Sequence, residues 1–254
     1  MATHISTPEH VTYSPLKKTH QTEVTIAPCF PGYGTTIGNA LRRVLLSSLP
    51  GSAVSAVKIQ GIQHEYDTLE HVKEDVVEII MNLKKLRVKS HSAEPVTLTL
   101  SAKGEKEVTA ADIKKDSSVD VVSKDLVIAT LTDKKAEFTM EITVKQGIGY
   151  EPVEERVVDK KDIGTIQIDS IFSPVLNVGF KVEHVRVGQR TDFEKIVLML
   201  TTDGTVEPEA AISTSVEILQ EQFNAIRTAA TGSGKEDADE MVLETPDAEK
   251  AHEE

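Results

Sequence analysis

The sequence predicts an α+β fold. Short runs with strand-like alternation crowd the middle of the chain, from 95 to about 170. Helical stripes occur only as isolated segments, near 35–48, 69–86 and 207–229. The two kinds of segment do not alternate regularly, which argues against a doubly wound parallel sheet.

Length and composition bound the possibilities. At 254 residues the chain can hold two ordinary domains of about 100–150 residues each. Hydrophobic residues make up 39%, enough for a real core, whereas aromatics are only 4% and tryptophan is absent, which argues against aromatic cages and base-stacking surfaces. The formal net charge of −13 disfavours binding to a phosphate backbone. That charge is uneven: residues 232–254 hold nine acids and two lysines. The remaining body is only mildly acidic. A lone cysteine, Cys29, excludes an internal disulfide framework and fits a reducing cytosol. No secretory leader pattern and no apolar run near ~18–20 residues is present, so a cytoplasmic protein that does not enter membranes is expected.

The elements follow in order. Residues 1–20 are polar and patternless and read as a frayed start. Thr22-Glu23-Val24-Thr25-Ile26 alternates as a half-buried strand does. Pro28, Pro31, Gly32 and Gly34 break that pattern into a loop, and a helix over about 35–48 follows until Pro50-Gly51 stops it. Residues 53–60 read as a strand. A second amphipathic helix is expected over 69–86, with Val72, Val76, Ile79, Ile80 and Leu83 on one face. Strand signals follow at 96–100, 126–131 and 138–144, and Gly147 with Gly149 marks a bend. Two longer strands are expected at 177–187 and 194–202, and Asp203-Gly204 is a turn signal. The last helix, 207–229, carries Pro208 where a first-turn proline is tolerated, and Glu207 and Glu209 suit its positive end. Beyond Gly232-Ser233-Gly234 the acidic tail is too poor in apolar residues to offset its chain entropy, so disorder is expected.

The first helix has two faces. At 100° per residue, Ile37, Ala40, Leu41, Val44, Leu45 and Leu49 share one arc, which predicts the buried stripe. Asn39, Arg42, Arg43, Leu46 and Ser47 lie opposite. An isolated exposed leucine is ordinary on a protein surface. A docking patch also fits, because arginine and apolar anchors are enriched at interface centres while lysine is depleted there. In the last helix Ile212, Val216, Leu219, Phe223 and Ile226 are spaced four, three, four and three apart. Such a heptad seam fits packing on the helix's own domain or pairing with a second copy across a twofold axis.

Catalytic and cofactor motifs do not emerge. Gly32-x-Gly34-x-x-x-Gly38 is one residue longer than the dinucleotide fingerprint, and the following strand ends in Lys58 and Gln60 where an acid should bind the ribose. There is no Gly-Lys-Ser/Thr P-loop and no nucleophile elbow. The eight histidines are scattered without zinc-site spacing. No Asp-rich triplet suggests a two-metal site.

The stretch Gly32-Tyr33-Gly34-Thr35-Thr36-Ile37-Gly38-Asn39-Ala40-Leu41-Arg42-Arg43-Val44-Leu45-Leu46-Ser47-Ser48-Leu49-Pro50-Gly51 resembles the signature of bacterial RNA polymerase alpha subunits. Further segments match in the same order: Gly61-Ile62-Gln63-His64-Glu65-Tyr66, Glu74-Asp75-Val76-Val77-Glu78-Ile79, Asn82-Leu83-Lys84, Val108-Thr109-Ala110-Ala111-Asp112, Phe172-Ser173-Pro174-Val175, Val187-Gly188-Gln189-Arg190-Thr191-Asp192 and Asp203-Gly204-Thr205-Val206-Glu207-Pro208. The resemblance covers roughly residues 20–230.

It implies a discontinuous dimerisation domain, 1–52 with 176–231, and an inserted strand-rich domain, 53–175, before the tail at 232–254. It implies a non-catalytic homodimeric scaffold that gathers the beta and beta′ subunits, with omega and sigma joining in the holoenzyme. Ile37, Leu41, Val216, Leu219, Phe223 and Ile226 are then expected at the dimer interface. Arg43, Leu46, Arg42, Asn39 and Lys84 are expected to contact the beta subunit, and Gln189 and Arg190 form a second, weaker large-subunit contact. No cofactor belongs to this chain on that reading, since magnesium and any zinc sit on the large subunits.

Three departures stand out. The family often has arginine at the positions of Pro31 and Ile148. It also usually continues into a linker and a small helical C-terminal domain that binds upstream promoter DNA. Here an acidic stretch ends the sequence, which fits a natural short form and a truncation alike, and little direct DNA contact is expected.

Overall fold

In the computed structural model, residues 5–156 and 164–231 are described, and the expected disordered tail at 232–254 lies outside them. The fold is α+β. Strand β1 (His10–Pro15) turns into β2 (Gln21–Cys29), and helix α1 (Tyr33–Ser47) follows. Next come β3 (Pro50–Ile59), the short helix α2 (Val76–Leu83) and β4 (Val88–Ser90). The strand-rich middle holds β5 (Val96–Lys103), β6 (Lys106–Thr109), β7 (Val119–Val121), β8 (Val127–Leu131) and β9 (Glu137–Ile148). Strands β10 (Tyr150–Glu151), β11 (Thr165–Gln167) and β12 (Ser170–Ile171) are brief. The long hairpin β13 (Val175–Val187) and β14 (Arg190–Thr202) leads into α3 (Pro208–Thr231).

Two four-stranded antiparallel sheets organise these elements, in the orders β1-β2-β14-β13 and β11-β3-β9-β5, with two-stranded pairs β10-β12, β4-β7 and β6-β8 beside them. Two separate apolar cores result. One draws on residues 54–168, with Ile79, Leu83, Leu100, Ile128, Phe138 and Ile142 almost wholly buried. The other draws on both ends of the chain, 24–49 and 175–212, joining Val24, Leu45, Ile196 and Leu198. Long-range strand pairing brings those ends together: β14 runs antiparallel to β2, with Leu198 opposite Val24.

The order and bounds of the elements depart from the sequence reading in several places. The polar start is not frayed throughout, since His10–Pro15 pairs with β2 and sets Tyr13 opposite Val24. Backbone pairing recruits this edge strand, and only Tyr13 within it is even half-buried, so alternation could not reveal it. Pro50-Gly51 does not merely stop α1. It opens β3, where a first-residue proline needs no ladder donor.

The second helix begins at Val76 and not at Leu69, because residues before it are claimed by β8. Val72 bridges to Leu131 and the Lys73 N–H donates to the Thr130 carbonyl at 3.0 Å. The Glu74 carboxylate accepts from the Thr130 N–H at 2.6 Å and from its hydroxyl at 2.8 Å. Only one glycine makes the expected bend. Gly149 has φ +68°, whereas Gly147 continues β9 opposite Gly51.

Candidate functional site

Helix α1 is laid on the β13–β14 hairpin by glycines. Its buried residues are Gly34, Gly38, Leu41 and Leu45. A Cβ on Gly38 would lie 2.6 Å from the Phe180 ring, so only a glycine lets the helix come this close to β13. At its N-terminus α1 has no side-chain cap and no acid in its first turn, and the preceding Gly32 takes φ +84°. Glu194 of β14 supplies what is missing: its Oε2 accepts the Gly34 N–H at 2.7 Å. The irregular pairing between β14 and β2 just beyond Glu194 helps aim that side chain. A carboxylate of the chain itself thus occupies the helix end where a dinucleotide fold would hold a pyrophosphate.

This close packing rotates the buried stripe. Glycines count for little in hydrophobic periodicity, so the predicted stripe, running from Ala40 round to Leu49, centres between Ile37 and Leu41. The buried residues Gly34, Gly38, Leu41 and Leu45 centre about 40° further round the helix. The consequences reach each expected contact residue. Arg42 swings toward β13, and its Nε donates to the Val178 carbonyl at 3.2 Å. Leu46 is not a fully outward anchor. It is half-buried and packs against the core shared by the chain ends. Asn39 and Arg43 remain exposed, and the Arg43 guanidinium has no hydrogen bond or ion pair among the described residues. At the helix C-terminus the Ser173 hydroxyl donates to the Leu46 carbonyl at 3.3 Å, tying α1 to the segment before β13.

Leu41, which the resemblance puts at a dimer interface, is 3% exposed and is taken up by its own core, as the apolar stripe of α1 predicts. Ile37 lies half-buried on the flank of that core. The α3 seam divides. Ala211, Ile212 and Ser215 are buried and Leu219 packs partly on the same core, but Val216, Phe223 and Ile226 are 38%, 63% and 64% exposed. From residue 220 to 231 every residue of α3 is exposed.

Lys84, Gln189 and Arg190 sit on other elements. Lys84 follows α2 and pairs with Asp169 at 2.9 Å. The Lys84 hydrogen bond, followed by the Val153 N–H, holds the Asp169 carboxyl below the usual range. Gln189 lies exposed in the turn between β13 and β14. Arg190 is bound within the chain: it grips Asp192 at 3.0 and 2.6 Å and lies 4.9 Å over the Phe193 ring and 5.8 Å over Phe30.

Sequence reasoning missed Glu194, Phe180 and Ser173. A signal did exist for the first two: Gly34 and Gly38 at i, i+4 within a helix mark a close approach to some other element. Nothing in the sequence says which element that is. Cys29 is buried, and burial followed by the nearby Glu194 charge pushes its thiol up, away from reactivity. Among the described residues no group of three or more His, Cys, Asp or Glu could hold a metal ion, and no helix is long and apolar enough to cross a membrane.

A family model for the RNA polymerase Rpb3/RpoA insert domain matches residues 57–173. The chain is 49% identical over 204 residues to the DNA-directed RNA polymerase subunit alpha of Alkaliphilus oremlandii, covering 80% of this chain and 64% of that protein. It is 47% identical over 218 residues to the DNA-directed RNA polymerase subunit alpha of Symbiobacterium thermophilum, covering 86% of this chain and 67% of that protein. The match therefore spans about two thirds of these relatives' length.

Proposed function

We propose that this chain, which belongs to the family of DNA-directed RNA polymerase alpha subunits, is a non-catalytic assembly platform. Two copies pair, and the pair gathers the beta and beta′ subunits for DNA-templated transcription in the cytoplasm. Magnesium and any zinc belong to those large subunits, and omega and sigma join the same enzyme. On this reading the core built from both chain ends is the dimerisation domain, 1–52 with 176–231. The core between them is an inserted domain, 53–175.

One observation carries the proposal. The apolar seam of α3 leaves Phe223 and Ile226 largely in water although their heptad partner Ile212 is 7% exposed. A helix that buries its first turns and then projects a continuous apolar row lacks a partner for that row, and a second copy of the same row satisfies it under a twofold axis. Arg43, with the exposed edge of Leu46 and with Asn39, is assigned to the beta subunit. Arg42 assists by holding α1 on β13. Lys84, Gln189 and Arg190 are secondary contacts, since Lys84 and Arg190 are already paired within the chain.

Light scattering on the purified chain, followed by capture of co-expressed large subunits, tests this. A dimer that retains beta and beta′ is expected. A monomer at micromolar concentration, or a dimer that retains neither large subunit, overturns it.

A further inference from the structure

We propose that the large-subunit docking surface does not end with α1. It continues onto an apolar strip formed by Ile148, Tyr150 and Ile171. The occupant is a segment of a large polymerase subunit that sets a carboxylate beside apolar side chains. This rests on the platform reading given above.

The strip is unusual in exposure and in continuity. Ile148, Tyr150 and Ile171 are 62%, 60% and 48% exposed. Tyr150 and Ile171 face each other across the β10–β12 pair, and Ile148 stands two residues from Tyr150 at the end of β9. Single exposed apolar residues are ordinary, but adjacent large ones mark contact surfaces.

Several contacts fix this strip to α1. Gly149, between Ile148 and Tyr150, turns directly against the helix end. A Cβ there would lie 3.5 Å from the Ser47 carbonyl oxygen. The Phe172 N–H donates to the Gly149 carbonyl at 2.8 Å, and Phe172 itself is 3% exposed. It is seated on the cross-strand pair Gly51 and Gly147: a Cβ on Gly51 would collide with the Phe172 carbonyl oxygen, and one on Gly147 would lie 2.6 Å from its ring. Ser47 in turn lies one helical turn beyond Arg43, and its hydroxyl donates to the Arg43 carbonyl at 2.9 Å. The exposed row Asn39, Arg43, Ser47 thus runs straight into the strip, and the two form one pre-organised surface spanning both cores.

Charge selects the occupant. The Arg43 side chain makes no hydrogen bond or ion pair among the described residues, and α1 contains no acid to give it one. Lys145, the cation on β9 beside the strip, is already paired with Glu151. One free arginine beside an apolar centre matches a protein segment with a carboxylate. A nucleic-acid backbone would call for several unpaired cations. A second copy of this chain is disfavoured, because a self-contact here, added to one through α3, would propagate into an open chain of subunits.

The test uses the full chain co-expressed with the large subunits. Ile148→Glu and Ile171→Glu are compared with Arg43→Ala, and dimer mass and melting temperature are recorded for each. The expected result is a loss of captured large subunit on the order of tenfold for each strip variant, with dimer mass unchanged. Hydrogen exchange at residues 148–151 should also slow in the wild-type complex. If the strip variants capture as wild type while Arg43→Ala does not, the extension is wrong and the platform reading stands. If Ile148→Glu changes self-association instead, the occupant is a second copy and the proposal is overturned. If wild type captures no large subunit, the platform reading itself fails. Should either glutamate variant lower the melting temperature, Ile148→Ser and the exchange measurement decide the matter, and unprotected amides overturn the proposal.

Discussion

Glu194 accepts the backbone N–H of Gly34 at 2.7 Å across 160 residues of sequence. The bond joins the start of α1 to β14, an inner strand of the sheet shared by both chain ends, and it serves a helix end with no local cap. Glu194→Ala should therefore lower stability by about 1–2 kcal/mol, the usual scale for a hydrogen bond to a charged group at a helix terminus. Glu194→Gln, which keeps an acceptor of the same reach, should cost less. Urea unfolding of the three proteins checks the order.

Gly38 faces the Phe180 ring. Replacing a helical glycine by alanine ordinarily stabilises by about 1 kcal/mol. Here the new Cβ would arrive 2.6 Å from the ring, so Gly38→Ala should give no gain and should destabilise by about 1–3 kcal/mol through overpacking. Shortening the ring with Phe180→Leu should restore part of the loss. Additive effects of the two changes in a double-mutant cycle would show that the contact does not limit the helix position.

These glycines mark the boundary of what was legible. Periodicity located α1, most of the longer strands and α3, because each buries a side chain at regular spacing. It failed where burial is achieved by having no side chain: Gly34 and Gly38 shifted the stripe, half-buried Leu46 and drew Arg42 onto Val178. It also failed where backbone pairing overrides side-chain pattern, at His10–Pro15 and at residues 69–75. Arg43 survived the rotation because it lay near the middle of the outward face under either stripe. Glu194 could not be found from sequence, since its partner is distant in the chain and no local pattern names it.

The α3 seam predicts a separation of folding from association. Phe223 is 63% exposed, so Phe223→Asp should leave the far-ultraviolet circular dichroism and the melting temperature of the folded chain close to wild type at equal subunit state. In the proposed dimer the same carboxylate would be buried without a partner, and the protein should become monomeric by light scattering. An unchanged dimer would place the twofold contact elsewhere.

The Lys84–Asp169 pair sets an acid-side prediction. The Lys84 hydrogen bond, then the Val153 N–H, lowers the Asp169 pKa from 3.8. A depressed carboxylate contributes stability that is fully present above its unfolded value and is lost as pH falls through its lower folded value. Asp169→Asn should therefore be less stable than wild type near neutrality, and the difference should shrink as pH drops below 3.8. The side chains are 38% and 34% exposed, so solvent screening keeps the effect modest. Chemical unfolding at a series of pH values measures it, and a gap that widens in acid would contradict the assignment.

Arg42 and Arg43 are adjacent and chemically alike, yet they should fail in different ways. The Arg42 Nε bonds to the Val178 carbonyl, so Arg42→Ala removes one of the ties between α1 and β13 and should cost about 1 kcal/mol in unfolding experiments. Any loss of large-subunit capture should then be partial and should track stability. The Arg43 guanidinium makes no hydrogen bond or ion pair among the described residues, and the bond from the Ser47 hydroxyl goes to its backbone carbonyl. Arg43→Ala should leave stability within about 0.5 kcal/mol of wild type, and it should nevertheless reduce capture by about tenfold or more if its guanidinium meets a buried carboxylate on the partner. Arg43→Lys distinguishes charge from geometry: a point charge cannot reproduce the planar, bidentate pairing of a guanidinium, so lysine should restore capture only in part. Equal behaviour of the two alanine variants in both measurements would mean that the outward face of α1 is not divided as its rotation on the glycines requires.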